Sequence, residues 1–161
     1  MKAGSTRQRL AAILAADATG FSRLMQADET STMAALEAAR EVFRSQVQAH
    51  QGRIMDMAGD AIFAVFDSAS AAVSSARAIQ DTLNTQADSL PEERQMRFRV
   101  GVHLGDVMEK ADGTVFGDGV NIASRLESLA EPGGITVSDV VQAAVRGKVE
   151  ASFDDLGPHK V

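Results

Sequence analysis

Residues 97–104 alternate without a break: Phe98, Val100, Val102 and Leu104 are apolar, and between them stand Arg97, Arg99, Gly101 and His103. Successive side chains of a strand point to opposite faces, so a period of two predicts a β-strand with one face on a core. A second segment, residues 10–16, is apolar throughout. It predicts a buried strand over 10–18 that ends in Asp17-Ala18-Thr19-Gly20. The run is far shorter than the ~20 residues of a membrane-spanning helix. Lys2, Arg7 and Arg9 before it and Ala15-Ala16 at its end imitate a secretory leader. The run stops on Asp17, however, and a buried strand behind a polar leader of residues 1–9 is the preferred reading. The expected location is cytoplasmic.

The segments between these two strands complete a pattern. From Asp28 an amphipathic helix is predicted, with Met33, Leu36, Phe43 and Val47 on one stripe and a stop near Gly52. Residues 53–57 and 61–66 read as strands joined by Ala58-Gly59-Asp60, where glycine takes a backbone angle that other residues resist. Asp67 or Ser68 caps a second helix whose buried face carries Ala72, Ala76, Ile79 and Leu83, and residues 84–96, with Pro91, form a loop. Beyond the alternating strand come a turn at 111–113, residues 114–116, and a helix over 118–130 ended by Glu131-Pro132-Gly133-Gly134. A short strand at 135–137, a cap at Ser138, a helix over 139–146 and a last strand at 152–156 follow. The order β-α-β-β-α-β is the split βαβ, or ferredoxin-like, arrangement. The expected fold class is therefore α+β: a mainly antiparallel sheet flanked by helices, with C-terminal strands and a helix appended.

A chain of 161 residues is large enough for one domain with its own core. Cysteine is absent, which removes disulfides, thiolate zinc sites and a cysteine nucleophile together. Sixteen basic against 22 acidic side chains give a net charge of −6, unsuited to generic nucleic-acid binding. If such a chain handles phosphates, metals or a few placed cations must do it. Asp17 and Asp60 suit that purpose. In a split βαβ sheet the first strand lies beside the third, so the two carboxylates can converge, and a convergent pair is what Mg²⁺ or Mn²⁺ needs when it also binds a substrate phosphate. Thr19, Gly20, Phe21 and Ser22 can then offer backbone N–H groups to phosphate oxygens. Asn121 and Arg125, four apart on one helix, lie one above the other, and the pair suits orienting a sugar and offsetting charge on a phosphoryl group in flight.

Four segments stand in order: Leu14-Ala15-Ala16-Asp17-Ala18-Thr19-Gly20-Phe21-Ser22; Gly59-Asp60; Phe98-Arg99-Val100-Gly101-Val102-His103-Leu104-Gly105-Asp106; and Phe116-Gly117-Asp118-Gly119-Val120-Asn121-Ile122-Ala123-Ser124-Arg125-Leu126. In identity and spacing they resemble the class III nucleotidyl cyclase catalytic domain, over residues 10–161. The resemblance implies a 3′,5′-cyclase acting on ATP or GTP as a head-to-tail homodimer with sites at the subunit interface. It implies two Mg²⁺ or Mn²⁺ ions on Asp17 and Asp60 with the backbone carbonyl of Ala18, and Asn121 and Arg125 supplied by the other subunit as the catalytic pair. Sensor or repeat domains in a longer parent protein are expected partners, and no membrane segment is read in this chain. His50, His103, Asp106 and His159 read as local or surface residues.

Two positions depart from the family pattern. Adenylate-type members carry a lysine four residues before the second metal aspartate to read the base, and here that position is Asp56; its partner position falls on Thr114. A carboxylate cannot donate to adenine N1, whereas it can accept from guanine N1–H and the 2-amino group, like the glutamate of guanylate-type members. The expected substrate is ATP, with GTP as the alternative and a non-catalytic, nucleotide-binding or dimerising regulatory domain as the other. The basic residue that many members place near the C-terminus lies just beyond Lys160, a weak substitute, so the final strand is expected to be missing.

Overall fold

In the computed structural model, the described residues are 5–149, 151–155 and 157. Six strands and five helices follow one another as β1 (Thr6–Ala18), α1 (Phe21–Ala27), α2 (Glu29–Ala49), β2 (Arg53–Ala58), β3 (Ala61–Phe66), α3 (Ala69–Asp88), β4 (Phe98–Lys110), β5 (Val115–Phe116), α4 (Asp118–Leu129), β6 (Ile135–Val137) and α5 (Asp139–Val145), with a 3₁₀ turn at Glu92–Arg94. The sheet order is β2-β3-β1-β4-β5, antiparallel throughout, and β6 adds to β4 as a parallel partner. The α+β, ferredoxin-like reading is thus what the chain adopts.

β1 is the centre of the sheet, hydrogen-bonded to β3 on one side and along its full length to β4 on the other. Its side chains alternate between two cores. Ala12, Leu14 and Ala16 join Leu36, Phe43 and Val47 of α2 and Ala72, Ala76 and Ile79 of α3. Ala11, Ile13 and Ala15 join Val65, Val107 and Ala123 of α4 on the opposite face. Burying apolar surface on both sides explains why residues 10–16 read as a continuous apolar run. The small alanines let helices approach closely, and the larger rings fill the first core: Phe43 meets Phe98 with centroids 5.3 Å apart.

Several boundaries differ from the sequence reading. β1 begins at Thr6, so Thr6–Arg9, read as leader, are strand residues paired with Val107–Lys110. The cause is Glu109, which binds Arg9 Nε at 2.6 Å and so makes a polar segment a good partner for the end of β4. The helix expected from Asp28 is two. Asp28 closes the seven-residue α1 through its backbone N–H and caps α2 by accepting from Ser31 N at 3.0 Å. Met33 is 41% exposed, and the buried stripe of α2 runs through Thr32, Leu36, Ala39, Phe43 and Val47 instead. α3, capped by Ser68, continues to Asp88 through residues read as loop, because Asn84 and Asp88 both anchor Arg97. Residues 152–155 are irregular rather than strand; Leu156, His159 and Lys160 lie outside the described residues.

Candidate active site

Asp17 is the penultimate residue of β1 and, by the alternation of that strand, belongs to the α4 face of the sheet. Directly opposite in the β1–β4 register stands Arg99. Its guanidinium grips the carboxylate, Nε to Oδ1 at 3.2 Å and Nη2 to both oxygens at 3.1 Å. Asp60 sits in the β2–β3 turn after Gly59, whose φ of +58° is the left-handed angle the tight hairpin demands. Asp60 Oδ2 accepts from the backbone N–H of Ala18 at 3.1 Å, which draws the hairpin tip against the end of β1. The two aspartates, 43 positions apart in sequence, are therefore brought together, as the strand order requires.

A third carboxyl joins them. Glu127 of α4 is 7% exposed and lies 3.5 Å from Arg99. Burial pushes its pKa up, and the charge of Asp17, a hydrogen bond with Asp17 and the charge of Asp60 push the same way; Arg99 opposes them, and the net result is about 8. Negative charge at this corner of the sheet therefore exceeds what one guanidinium offsets.

Neither Arg99 nor Glu127 was singled out by the sequence reading. For Arg99 the signal was available in the pairing of the two strongest strands, which sets it across from Asp17. For Glu127 it was a carboxylate on the helix face that also carries Ala123 and Leu126.

The donor set suits a hard divalent cation. Among the described residues, no three His, Cys, Asp or Glu side chains form a metal cluster of their own. Two half-buried carboxylates with excess negative charge, beside Ala18, fit instead an open oxygen site of the kind that substrate oxygens or water would complete. In the adjoining loop Thr19 Oγ1 is buried without a hydrogen-bond partner among the described residues. The Thr19 backbone N–H is already spent on Arg97 O at 2.8 Å, so it is not the free phosphate donor expected from sequence. Gly20 takes a left-handed angle (φ +66°) at the entry to α1, and Phe21 and Ser22 open that helix, where the first N–H groups have no partner within the helix.

The remaining candidates lie apart from the carboxylates. Asn121 and Arg125 are exposed on α4. Asp56 is exposed on the edge strand β2, next to an irregularity in its pairing, and Thr114 is exposed before β5. Arg53 Nη1 donates to Gly113 O at 3.0 Å and so ties the start of β2 to the turn that precedes Thr114. His103 faces Ser138 Oγ at 2.9 Å, and burial pushes its pKa down. One groove of about 230 Å³ lies between α1, the start of α2 and the 3₁₀ turn, another of about 190 Å³ between α2 and the end of α3, and none of the candidate residues lines them.

The chain as a whole is similar to known proteins. The family described as "Adenylate and Guanylate cyclase catalytic domain" matches residues 5–161. "Putative adenylate cyclase 3" of Rhizobium meliloti is 48% identical over 158 residues, a match spanning 98% of this chain and 27% of the relative. An adenylate cyclase of Streptomyces coelicolor is 33% identical over 123 residues, spanning 76% of this chain and 30% of the relative. The crystal structure of an adenylate/guanylate cyclase/hydrolase from Silicibacter pomeroyi superposes with a TM-score of 0.90 at 39% identity, covering 98% of this chain and 91% of that one. This chain thus spans under a third of the length of those curated relatives. The chain belongs to the adenylate and guanylate cyclase catalytic domain family.

Proposed function

We propose that this domain is a purine nucleotidyl cyclase that converts ATP to 3′,5′-cyclic AMP and pyrophosphate at sites shared between two copies arranged head to tail. One observation carries the reading: Asp17 and Asp60 converge at one corner of the sheet, while Asn121 and Arg125 face away from it on the exposed side of α4. A single chain thus holds both halves of the chemistry in separate places, and a second copy can join them. The names of the curated relatives support adenylate chemistry.

In the reaction the ribose 3′-oxygen forms a bond to the α-phosphorus as the bond from that phosphorus to the bridging oxygen breaks. The bond pair leaves with pyrophosphate, and the hydroxyl proton passes to solvent. Asp17 and Asp60, with the carbonyl of Ala18, would hold two Mg²⁺ or Mn²⁺ ions. When bound, these supply Lewis-acid chemistry, acidifying the hydroxyl and offsetting charge on the phosphates. Arg125 of the second copy offsets charge on the transferring phosphoryl group, and Asn121 orients the ribose. Phe21 and Ser22 at the start of α1, with Gly20 allowing close approach, line the phosphate path.

The test is direct. Purified protein with Mn²⁺ and ATP yields cyclic AMP and pyrophosphate, and neither ATP nor GTP giving product sinks the reading. Mixing Asp60→Ala protein with Arg125→Ala protein restores one working site per mixed dimer; two dead variants that stay dead together rule out the shared site.

One observation favours GTP as the alternative substrate. Asp56 offers an exposed acceptor where adenine would meet a donor, with Thr114 as its partner position. Asp56→Lys raises the ATP-to-GTP ratio of turnover if Asp56 reads the base, and an unchanged ratio removes it from that role.

A further inference from the structure

Helix α4 has two chemically different sides. At roughly 100° per residue, Asn121 and Arg125 fall about 40° apart and Glu127 about 200° beyond Arg125, on the opposite side of the helix. Asn121 and Arg125 are exposed, whereas Glu127 is turned into the sheet beside Arg99. The seat beneath that inner side is tight. A Cβ on Gly101 of β4 would lie 2.3 Å from Glu127 N and 2.4 Å from Ala123 O, so the helix backbone rests on the strand with no room for a side chain. Arg99, two residues earlier on the same face of β4, touches both Glu127 and Asp17, and Glu127 is itself hydrogen-bonded to Asp17. Helix, strand and metal-site carboxylate are thus joined through one cluster of three polar side chains, Glu127, Arg99 and Asp17.

We propose that Glu127 is a positioning residue that fastens α4 to the Asp17–Arg99 pair of its own chain, and that α4 thereby couples the two sites of the dimer. The inference rests on the shared-site reading above. Glu127 touches both Arg99 and Asp17, and so sets how freely Asp17 presents its oxygens to a cation. The same contact sets the height and rotation of α4 on β4, and with them the Asn121 and Arg125 that enter the other copy's site. Loading of one site is then felt through one rigid helix at the other.

Three measurements on the full chain decide it. First, Mn²⁺ binding is followed by loss of the free-ion magnetic resonance signal, without nucleotide. E127A, which removes the contacts to both Arg99 and Asp17, weakens half-saturation about 10-fold, the lower end of the effect typical of an outer partner of a metal ligand, while circular dichroism shows the fold retained. Unchanged Mn²⁺ binding overturns the positioning role, and this readout is independent of whether the protein cyclises anything.

Second, amide hydrogen exchange on the unmodified chain needs no variant to fold. Adding Mn²⁺ slows exchange in residues 119–127, and identical exchange with and without Mn²⁺ overturns the coupling.

Third, E127A is placed on either chain of the Asp60→Ala and Arg125→Ala mixed dimer. On the Arg125→Ala chain, which holds the metals of the working site, it raises the Mn²⁺ requirement. On the Asp60→Ala chain, which lends only Asn121 and Arg125, it lowers kcat by up to about 100-fold with the Mn²⁺ requirement unchanged. An unchanged kcat in that second placement overturns the coupling. An unmodified mixture that is itself inactive overturns the shared-site reading instead, and leaves Glu127 to be judged by the first two measurements.

Discussion

Asp60 does two things with one carboxylate, and they can be separated. Its Oδ2 accepts from Ala18 N–H, which holds the hairpin tip to the end of β1, and its charge faces Asp17 and Glu127. Asn keeps an acceptor of the same shape and removes the charge. Asp60→Asn is therefore expected to melt near the unmodified protein while cyclase activity falls more than about 100-fold, because metal-assisted charge stabilisation is worth several kcal/mol. Similar losses of stability and activity would show the acceptor, rather than the charge, to matter.

A second prediction concerns Glu109 at the far end of the same strand pair. The hydrogen bond from Arg9, helped by the charges of Arg9, Arg53 and Arg7, holds its carboxyl below the ordinary 4.5 against the effect of burial. A carboxyl whose pKa is lower folded than unfolded contributes stability that is complete above the unfolded value and lost as pH falls through the folded one. The difference in melting temperature between the unmodified protein and Glu109→Gln should therefore shrink as pH drops from about 6 to about 3. A constant difference would sink the argument. Asp17 and Asp60 were legible because each breaks an apolar or turn pattern locally. Arg99 and Glu127 were not, because their meaning lies in what stands across from them, 82 residues away for Asp17 and Arg99.

Elements whose periodicity is long and clean were legible, and those held by single polar contacts were not. The alternation at 97–104 became the buried face of β4, and Ala72, Ala76, Ile79 and Leu83 became the buried face of α3. α1 buries only Leu24 and has no stripe to read. The last turn of α3 is polar in sequence and earns its place through Asn84, which donates to Gly133 O and accepts from Arg97. The tightest element contact carries a prediction of its own. At Gly101 the atoms a methyl group would meet are helix backbone, which cannot swing aside as a side chain can. Gly101→Ala is expected to cost roughly 1–3 kcal/mol, measured by urea unfolding. A variant as stable as the parent would mean that α4 can lift off β4 without penalty, which is incompatible with a rigid seat.

For the whole molecule the net charge of −6 matters twice. It makes cations a requirement for handling a nucleotide, and it makes two copies of the chain repel. Charges at surfaces are screened over about 10 Å at 0.1 M salt. The dissociation constant of the proposed dimer, measured by sedimentation, should thus fall as salt is raised from about 0.05 to 0.5 M, the opposite of an interface held by ion pairs. No helix among the described residues is long and apolar enough to cross a membrane.

The central place of β1 has a consequence in time. Among the strands of this domain it is made before the others, yet its two neighbours are β3 and β4, the latter not begun until Phe98. At roughly 5–20 residues per second, a growing chain carries Asp17 for about 4–16 s before Arg99 has been added. Throughout that interval the apolar run of β1 has at most one strand beside it. A chain that ends before this point has β1 open along one edge and Asp17 without Arg99, a substrate for chaperones and proteases.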